Sequence, residues 1–258
     1  METIEIYLNQ LADEKSIYAE LSHKTETKIS DRESLEEYLE NVSDDVRFML
    51  YVSDEDMDSD TVADISVAFD TKCKNEYDII VEEFLNLIDE DGHFLETAKP
   101  RSLVHRDGDL HPAVHVWIVM EKDMGVYTLL QKRSADKMIN PCCYDVSAAG
   151  HVPQGEEFRS SAVRETAEEL GIYLNENELE FICLNKSSYS CGDIHDNEIR
   201  AVYLCREKID TDNLTLQDSE VDGVVWAEID EILASVDNSE FVNCIDRNEL
   251  LMIKKAVF

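Results

Sequence analysis

At 258 residues, 43% of them hydrophobic, the chain can bury one large core or one core plus an appendage. A formal net charge of −35 disfavours nonspecific binding to nucleic acid or an anionic membrane, and it repels small anions too, so any site for one must bring its own cations. No apolar run reaches membrane-spanning length, METIEIYLNQLADEK lacks the order of a signal peptide, and seven unpatterned cysteines point to free thiols, which together predict a cytoplasmic protein.

Residues 1–82 read as an acidic, mainly helical element. Ile4, Leu8 and Leu11, then Ile17 and Leu21, recur at near-helical spacing. Ser30-x-x-Glu33 has the capping-box pattern before SLEEYLENV, where Leu35, Tyr38, Leu39 and Val42 form one stripe. RFMLYV at 47–52 fits a strand or a short buried helix. SDEDMDSD at 53–60 reads as a loop or helix start, without the glycine and terminal glutamate of a calcium loop. Nothing here carries chemistry, so packing or dimerisation is the default role, and a homodimer stays open.

From Glu83 the pattern changes. A strand, an Asp-Gly turn and a second short strand lead through a loop to an apolar strand at Ala113–Met120. Further strands are expected at 126–133, about 180–190 and 198–208, and helices at 229–236 and 248–257. The result is an α/β domain over 83–258, a mixed sheet flanked by helices. His105, His111 and His115 have a spacing that suits no zinc site; His105 is placed near the cleft and His115 in or beside the sheet. Adjacent Cys142 and Cys143 read as ordinary small residues. Tyr144 and Trp226 are candidates to stack on a base, although core packing is the commoner role of such rings.

The stretch GHVPQGEEFRSSAVRETAEELGI, Gly150 to Ile172, is a glycine-opened loop feeding an acidic helix. Glu165, Glu168 and Glu169 stand at i, i+3 and i+4 and project from one face, while Ala162, Val163, Thr166 and Leu170 form the apolar side. Gly171 suits the left-handed closing position. Like charges so close repel by a few tenths of a kcal/mol per pair. A divalent cation would neutralise them, and hard carboxylate oxygens suit Mg²⁺ or Mn²⁺. Arg164 can hold Glu156 or Glu165 in a bidentate pair.

The spacing Gly150-x5-Glu156-x7-Arg164-Glu165-x-x-Glu168-Glu169-x-Gly171-Ile172 resembles the box that marks the Nudix hydrolase superfamily. That resemblance implies an α/β/α sandwich, Mg²⁺ (or Mn²⁺) held by Glu165, Glu168, Glu169 and the Gly150 carbonyl, and catalysis by Glu165, Glu168 and Glu169 with Arg164. Thr166 departs from the aliphatic residue usual at its position.

HRDGDLHPAVHVWIV and QKRSADKMINPCCYDVSAAGHVPQGE are similar to the branch that includes isopentenyl diphosphate isomerase. In that comparison Arg133 and Lys137 match a basic pair that binds the diphosphate, with Tyr144 and His151 as further substrate-side residues. His151 matches an isomerase metal ligand. Ala149 stands where the isomerase needs a cysteine, and the box here is nearly complete where the isomerase box is degenerate. Glu198, with Asp196 next, is the candidate for one more catalytic carboxylate. The resemblance therefore implies hydrolysis of a small-molecule diphosphate such as a nucleoside diphosphate. The alternatives are an isomerase-like enzyme on a prenyl diphosphate and a noncatalytic ligand-binding regulator.

Overall fold

The computed structural model describes residues 2–8, 14–54, 56, 59–122, 125–238 and 241–257. It divides into two compact units, one of residues 1–85 and 97–104, the other of 86–96 and 105–258.

The first unit contains β1 (Glu2–Leu8), α1 (Glu14–Thr25), α2 (Arg32–Asn41), β2 (Val46–Val52), α3 (Asp60–Lys72) and β3 (Tyr77–Val81). The expected helices are present, but they pack on a parallel sheet of order β1-β2-β3. Residues 2–8 are a strand, not the start of a helix. Ile4, Ile6 and Leu8 alternate, and Ile6 and Leu8 are buried with Phe48, Leu50, Leu35, Ile65 and Phe69, so the period of two outweighs the i, i+4 coincidence of Ile4 and Leu8. Leu11 lies outside the described residues. The capping box is shifted by one residue from the expected one: Asp31 Oδ1 accepts from Ser34 N–H at 2.9 Å, and Ser34 Oγ accepts from Asp31 N–H at 3.2 Å.

β4 (Phe84–Ile88) and β5 (Phe94–Pro100) form the expected hairpin, turned at Gly92 with φ 86°. The expected loop after it contains a short helix, α4 (Arg101–Asp107), which buries Leu103 and Val104.

The second unit continues with β6 (Leu110–Lys122), β7 (Gly125–Arg133), β8 (Tyr144–Asp145), β9 (Ala148–His151), α5 (Phe158–Leu170), β10 (Leu179–Cys191), β11 (Ile194–Cys205), β12 (Val221–Glu228), α6 (Ile229–Ser235) and α7 (Arg247–Val257). The sheet runs β10-β11-β6-β7-β12, with β8 on β7 and β9 on β6. β11 and β6 are parallel, and the other pairs are antiparallel. Strand β6 explains the layering. Val114, Val116 and Ile118 face Ala162 and Leu170 of α5, while Trp117 and Val119 face Ile229 and Ile232 of α6 and Leu250 and Ile253 of α7. This is the mixed-sheet α/β/α sandwich.

Candidate active site

The site begins at the loop entering α5. Ser160 Oγ accepts from the Glu157 N–H at 3.2 Å at the helix start, and Gly171 closes the helix at φ 69°, its N–H reaching Ala167 O. A Cβ at Gly171 would meet backbone atoms of Thr215 at 3.0 Å, so glycine is needed there for space as well as conformation. Thr166 is fully buried, and its hydroxyl donates to Ala162 O at 2.7 Å; the polar atom is satisfied inside the helix and the departure from an aliphatic residue is absorbed.

Arg164 organises the acidic face. Its Nε donates to both Glu156 oxygens at 3.1 Å, Nη1 donates to Glu165 Oε1 at 2.8 Å and Glu168 Oε2 at 2.9 Å, and Nη2 donates to His151 O at 3.2 Å. One guanidinium thus ties the box helix to the end of β9. Gly150 makes room for this arrangement, since a Cβ there would lie 2.1 Å from the Glu165 carboxylate.

Glu169 points elsewhere. It is 5% exposed, and its Oε2 accepts from Ala149 N–H and Gln131 Nε2, both at 3.1 Å. Burial, then the nearby Glu165 charge, pushes its carboxyl up to about 8, against the lowering effect of the Ala149 N–H. The three glutamates of the box therefore occupy two environments, with Glu165 and Glu168 on the arginine and Glu169 in the sheet.

A second group lies on the far side of β9. His105 from α4, His111 from β6, His151 from β9 and Asp196 from β11 bring one donor atom each within 4.8 Å of one another. The three rings sit with centroids 5.1–5.2 Å apart. The spacing of His105, His111 and His115 predicts no zinc site; His105 and His111 do converge on a candidate metal site, through partners on other strands, whereas His115 does not join them. His111 Nδ1–H donates to Asp109 O at 2.9 Å, which leaves its Nε2 as an acceptor 3.3 Å from Asp196 Oδ1. Both atoms are enclosed, and neither has a hydrogen bond with proper geometry. Two facing acceptors need a shared cation, either a proton or a metal ion. Burial opposes charge on His111, but Asp196, Glu198 and the Asp109 carbonyl together outweigh it and raise the group above its usual range. Three imidazoles and a carboxylate suit a divalent ion that accepts nitrogen ligands better than Mg²⁺, which prefers oxygen.

Glu198 borders this group, its Oε1 3.7 Å from His151 Nε2 and its Oε2 accepting from Arg200 Nε at 2.6 Å. The other expected residues have partners. Arg133 donates to Asp145 Oδ2 and Ile139 O, each at 3.2 Å, and Lys137 is ion-paired with Glu220. Tyr144 stacks on Phe241 with centroids 5.8 Å apart, and Trp226 packs against the core on the α5 side. His115 is buried beside the sheet as expected, bonded through Nδ1 to Glu249 Oε1 at 2.8 Å. Gln131, Arg200 and Glu249 were missed because a lone polar residue in a strand or helix carries no spacing signal.

Fold and site together define an α/β/α domain with an arginine-clamped acidic helix next to a histidine–carboxylate cluster, the arrangement of a metal-assisted hydrolase. The family described as NUDIX domain matches residues 109–243, more than half of the chain, and the chain belongs to it. It is 38% identical over 157 residues to an uncharacterised Nudix hydrolase of Clostridium acetobutylicum, covering 61% of this chain and 75% of that protein. It is 38% identical over 156 residues to Nudix hydrolase 3 of Arabidopsis thaliana, covering 59% of this chain but 20% of that longer protein. An isopentenyl-diphosphate Delta-isomerase of Photobacterium profundum is 32% identical over 94 residues, 36% of this chain and 52% of the isomerase. The chain is thus of the hydrolase class that acts on pyrophosphate bonds, and members of this family generally use divalent metal ions. Among the described residues no helix is long and apolar enough to cross a membrane.

Proposed function

We propose that the chain hydrolyses the diphosphate linkage of a nucleoside diphosphate or a related X-linked diphosphate, with Mg²⁺ or Mn²⁺ as cofactor. In this reading residues 83–258 are the hydrolase domain and residues 1–82 an appended packing or dimerisation element; the seven free thiols support a reducing, cytoplasmic setting. The observation that carries the reading is the Arg164 clamp, which aims Glu165 and Glu168 from a helix that also delivers Glu169 to the Ala149 N–H.

His105, His111, His151 and Asp196 would hold an ion by their geometry, and the Gly150 carbonyl with Glu165, Glu168 and Glu169 by the family pattern. A bound divalent ion supplies charge neutralisation at phosphorus and acidifies a water. The chain's own groups do the rest. Ala149 N–H and Gln131 fix Oε2 of Glu169, leaving Oε1 to accept the proton of the attacking water. Glu198, anchored by Arg200, provides a further catalytic carboxylate. Arg133 and Lys137 can serve the diphosphate by exchanging Asp145 and Glu220 for phosphate oxygens, and His151 lies on the substrate side.

The isomerase-like reading draws on the histidine cluster, but Ala149 offers no proton carrier at the position where carbon chemistry needs one. Phosphate release from a panel of diphosphates with Mg²⁺ and with Mn²⁺ tests the proposal; release from at least one nucleotide is expected, and none from any would overturn it.

A further inference from the structure

We infer that Asn86, on the β4–β5 hairpin, is the positioning residue that holds the box loop in the conformation from which Arg164 arrays Glu165 and Glu168. This rests on the proposed hydrolase reading and extends its machinery to a residue upstream of the family match.

The loop between β9 and α5 makes one tight turn. Glu156 N–H returns to Pro153 O at 3.2 Å, and Gly155 supplies a positive φ, 84°, at the third position of the turn. A Cβ on Gly155 would meet nothing within 4 Å, so the tip of the turn stands in open space and leans on no neighbour. The support comes from Asn86. Its Nδ2 donates to Pro153 O at 2.7 Å and to Glu156 O at 3.3 Å, so one amide spans the first and last residues of the turn. Glu156 O has no other hydrogen bond among the described residues. Asn86 is 9% exposed and belongs to the same compact unit as the box. The second strand of the hairpin adds an apolar contact, the Phe94 ring lying 5.0 Å, centroid to centroid, from that of Phe158, the first residue of α5. The hairpin thus touches the loop at its turn and the helix at its start.

The hold is passed on to the acidic face. The Glu156 carboxylate accepts from Ser161 Oγ at 2.5 Å and from Arg164 Nε at 3.1 Å. A guanidinium is planar and rigid, so the Nε edge and the Nη1 that reaches Glu165 and Glu168 move as one body. When the Glu156 backbone drifts, its carboxylate turns the plane of Arg164, and both box glutamates lose their shared donor. A misplacement of about 1 Å costs a reaction on the order of a hundredfold. An asparagine that only satisfied buried carbonyls would affect stability alone, whereas a positioning residue reaches turnover.

Asn86→Asp keeps the size of the side chain, removes both donors and sets an oxygen against two carbonyls. In the full chain with Mg²⁺, kcat for whichever diphosphate the wild type turns over should fall at least about tenfold, with KM within about twofold of wild type because Arg133 and Lys137 are untouched. Hydrogen exchange read by mass spectrometry should show the amides of Gln154 to Glu157 opening at least about tenfold faster, and those of Ser161 to Leu170 unchanged. On a Glu156→Ala background, Asn86→Asp should cost little more, since the route to Arg164 is already cut. Should Asn86→Asp fail to fold, Asn86→Ala carries the same test. An unchanged kcat, or a loss that adds in full to that of Glu156→Ala, would overturn the inference. If the wild type turns over no diphosphate, the hydrolase reading falls and exchange alone decides: faster opening of the loop in the variant sustains the hold of Asn86 on the box, and unchanged exchange overturns it.

Discussion

Glu169 Oε2 accepts a hydrogen bond from the backbone N–H of Ala149 at 3.1 Å, joining the last glutamate of the acidic helix to the residue immediately before Gly150. The carboxylate is thereby drawn into the sheet, away from Arg164, and it is buried with its acid form favoured. Glu169→Gln keeps the shape and removes the ionisable oxygen. Turnover should fall by orders of magnitude while the fold persists. Its folded pKa, about 8, lies above the ordinary 4.5, so Glu169 costs nothing below pH 4.5 and lowers the metal-free protein's stability as pH rises from there towards 8. Glu169→Gln should remove that loss, leaving the metal-free variant more stable than wild type at pH 8 by on the order of a few kcal/mol and little changed at pH 5. Urea denaturation at the two pH values checks both statements.

Gly150→Ala should fold and yet lose activity. The added methyl would lie 2.1 Å from the Glu165 carboxylate, which can swing away only by leaving Arg164. A fall of at least about tenfold in kcat/KM, roughly 1.4 kcal/mol of transition-state stabilisation, with a thermal midpoint near that of wild type, is the expected pattern.

Glu249 supports the opposite face. Fully buried on α7, it accepts from Trp117 Nε1 at 2.6 Å, His115 Nδ1 at 2.8 Å and Asn185 Nδ2 at 3.1 Å. Burial alone would raise its pKa, but His115 and these donors hold it down at about 2. The stability it contributes is present above pH 4.5 and is lost as pH falls towards 2. Glu249→Ala leaves the buried Trp117 and His115 donors without an acceptor, while Asn185 keeps Asp246, and should cost about 3 kcal/mol or more at pH 7. The difference from wild type should shrink in acid, as urea midpoints at pH 7 and pH 3 would show.

Arg133→Ala should destabilise more than Lys137→Ala. Arg133 is the counter-ion of Asp145, which is 7% exposed, and it also ties down Ile139 O, whereas the Lys137–Glu220 pair is more open to water. About 1–3 kcal/mol is expected for the first and about 1 kcal/mol or less for the second. Their KM effects should follow the same order.

What could be read from the sequence was what lies close together along it. The box helix is contiguous, so its glycine, arginine and glutamates announce themselves by spacing, and the strands of 113–120, 126–133 and 198–208 show their apolar runs. The histidine cluster could not be read this way. Its members come from α4, β6, β9 and β11, and only the parallel register of β11 on β6, with Glu198 opposite His111, brings them together. Arg200 gave no sign for the same reason, being a single charge within a strand whose partner is two residues away. β1 was misread because Ile4 and Leu8 satisfy a helical spacing and a strand alternation at once, and the parallel partner that decides between them lies some forty residues downstream, at Val46–Val52.

The central claim is that Ala149 and an intact acidic box commit the chain to water attack at phosphorus rather than to proton movement at carbon. One sample tests it most directly: wild-type protein with Mg²⁺ in deuterated water, holding both isopentenyl diphosphate and a nucleoside diphosphate, followed by proton and phosphorus NMR. An alanine methyl can neither donate nor accept a proton, so the account predicts Mg²⁺-dependent release of phosphate from the nucleotide and no deuterium in the hydrocarbon. Steady deuterium incorporation at an enzymic rate, with the nucleotide untouched, would contradict it.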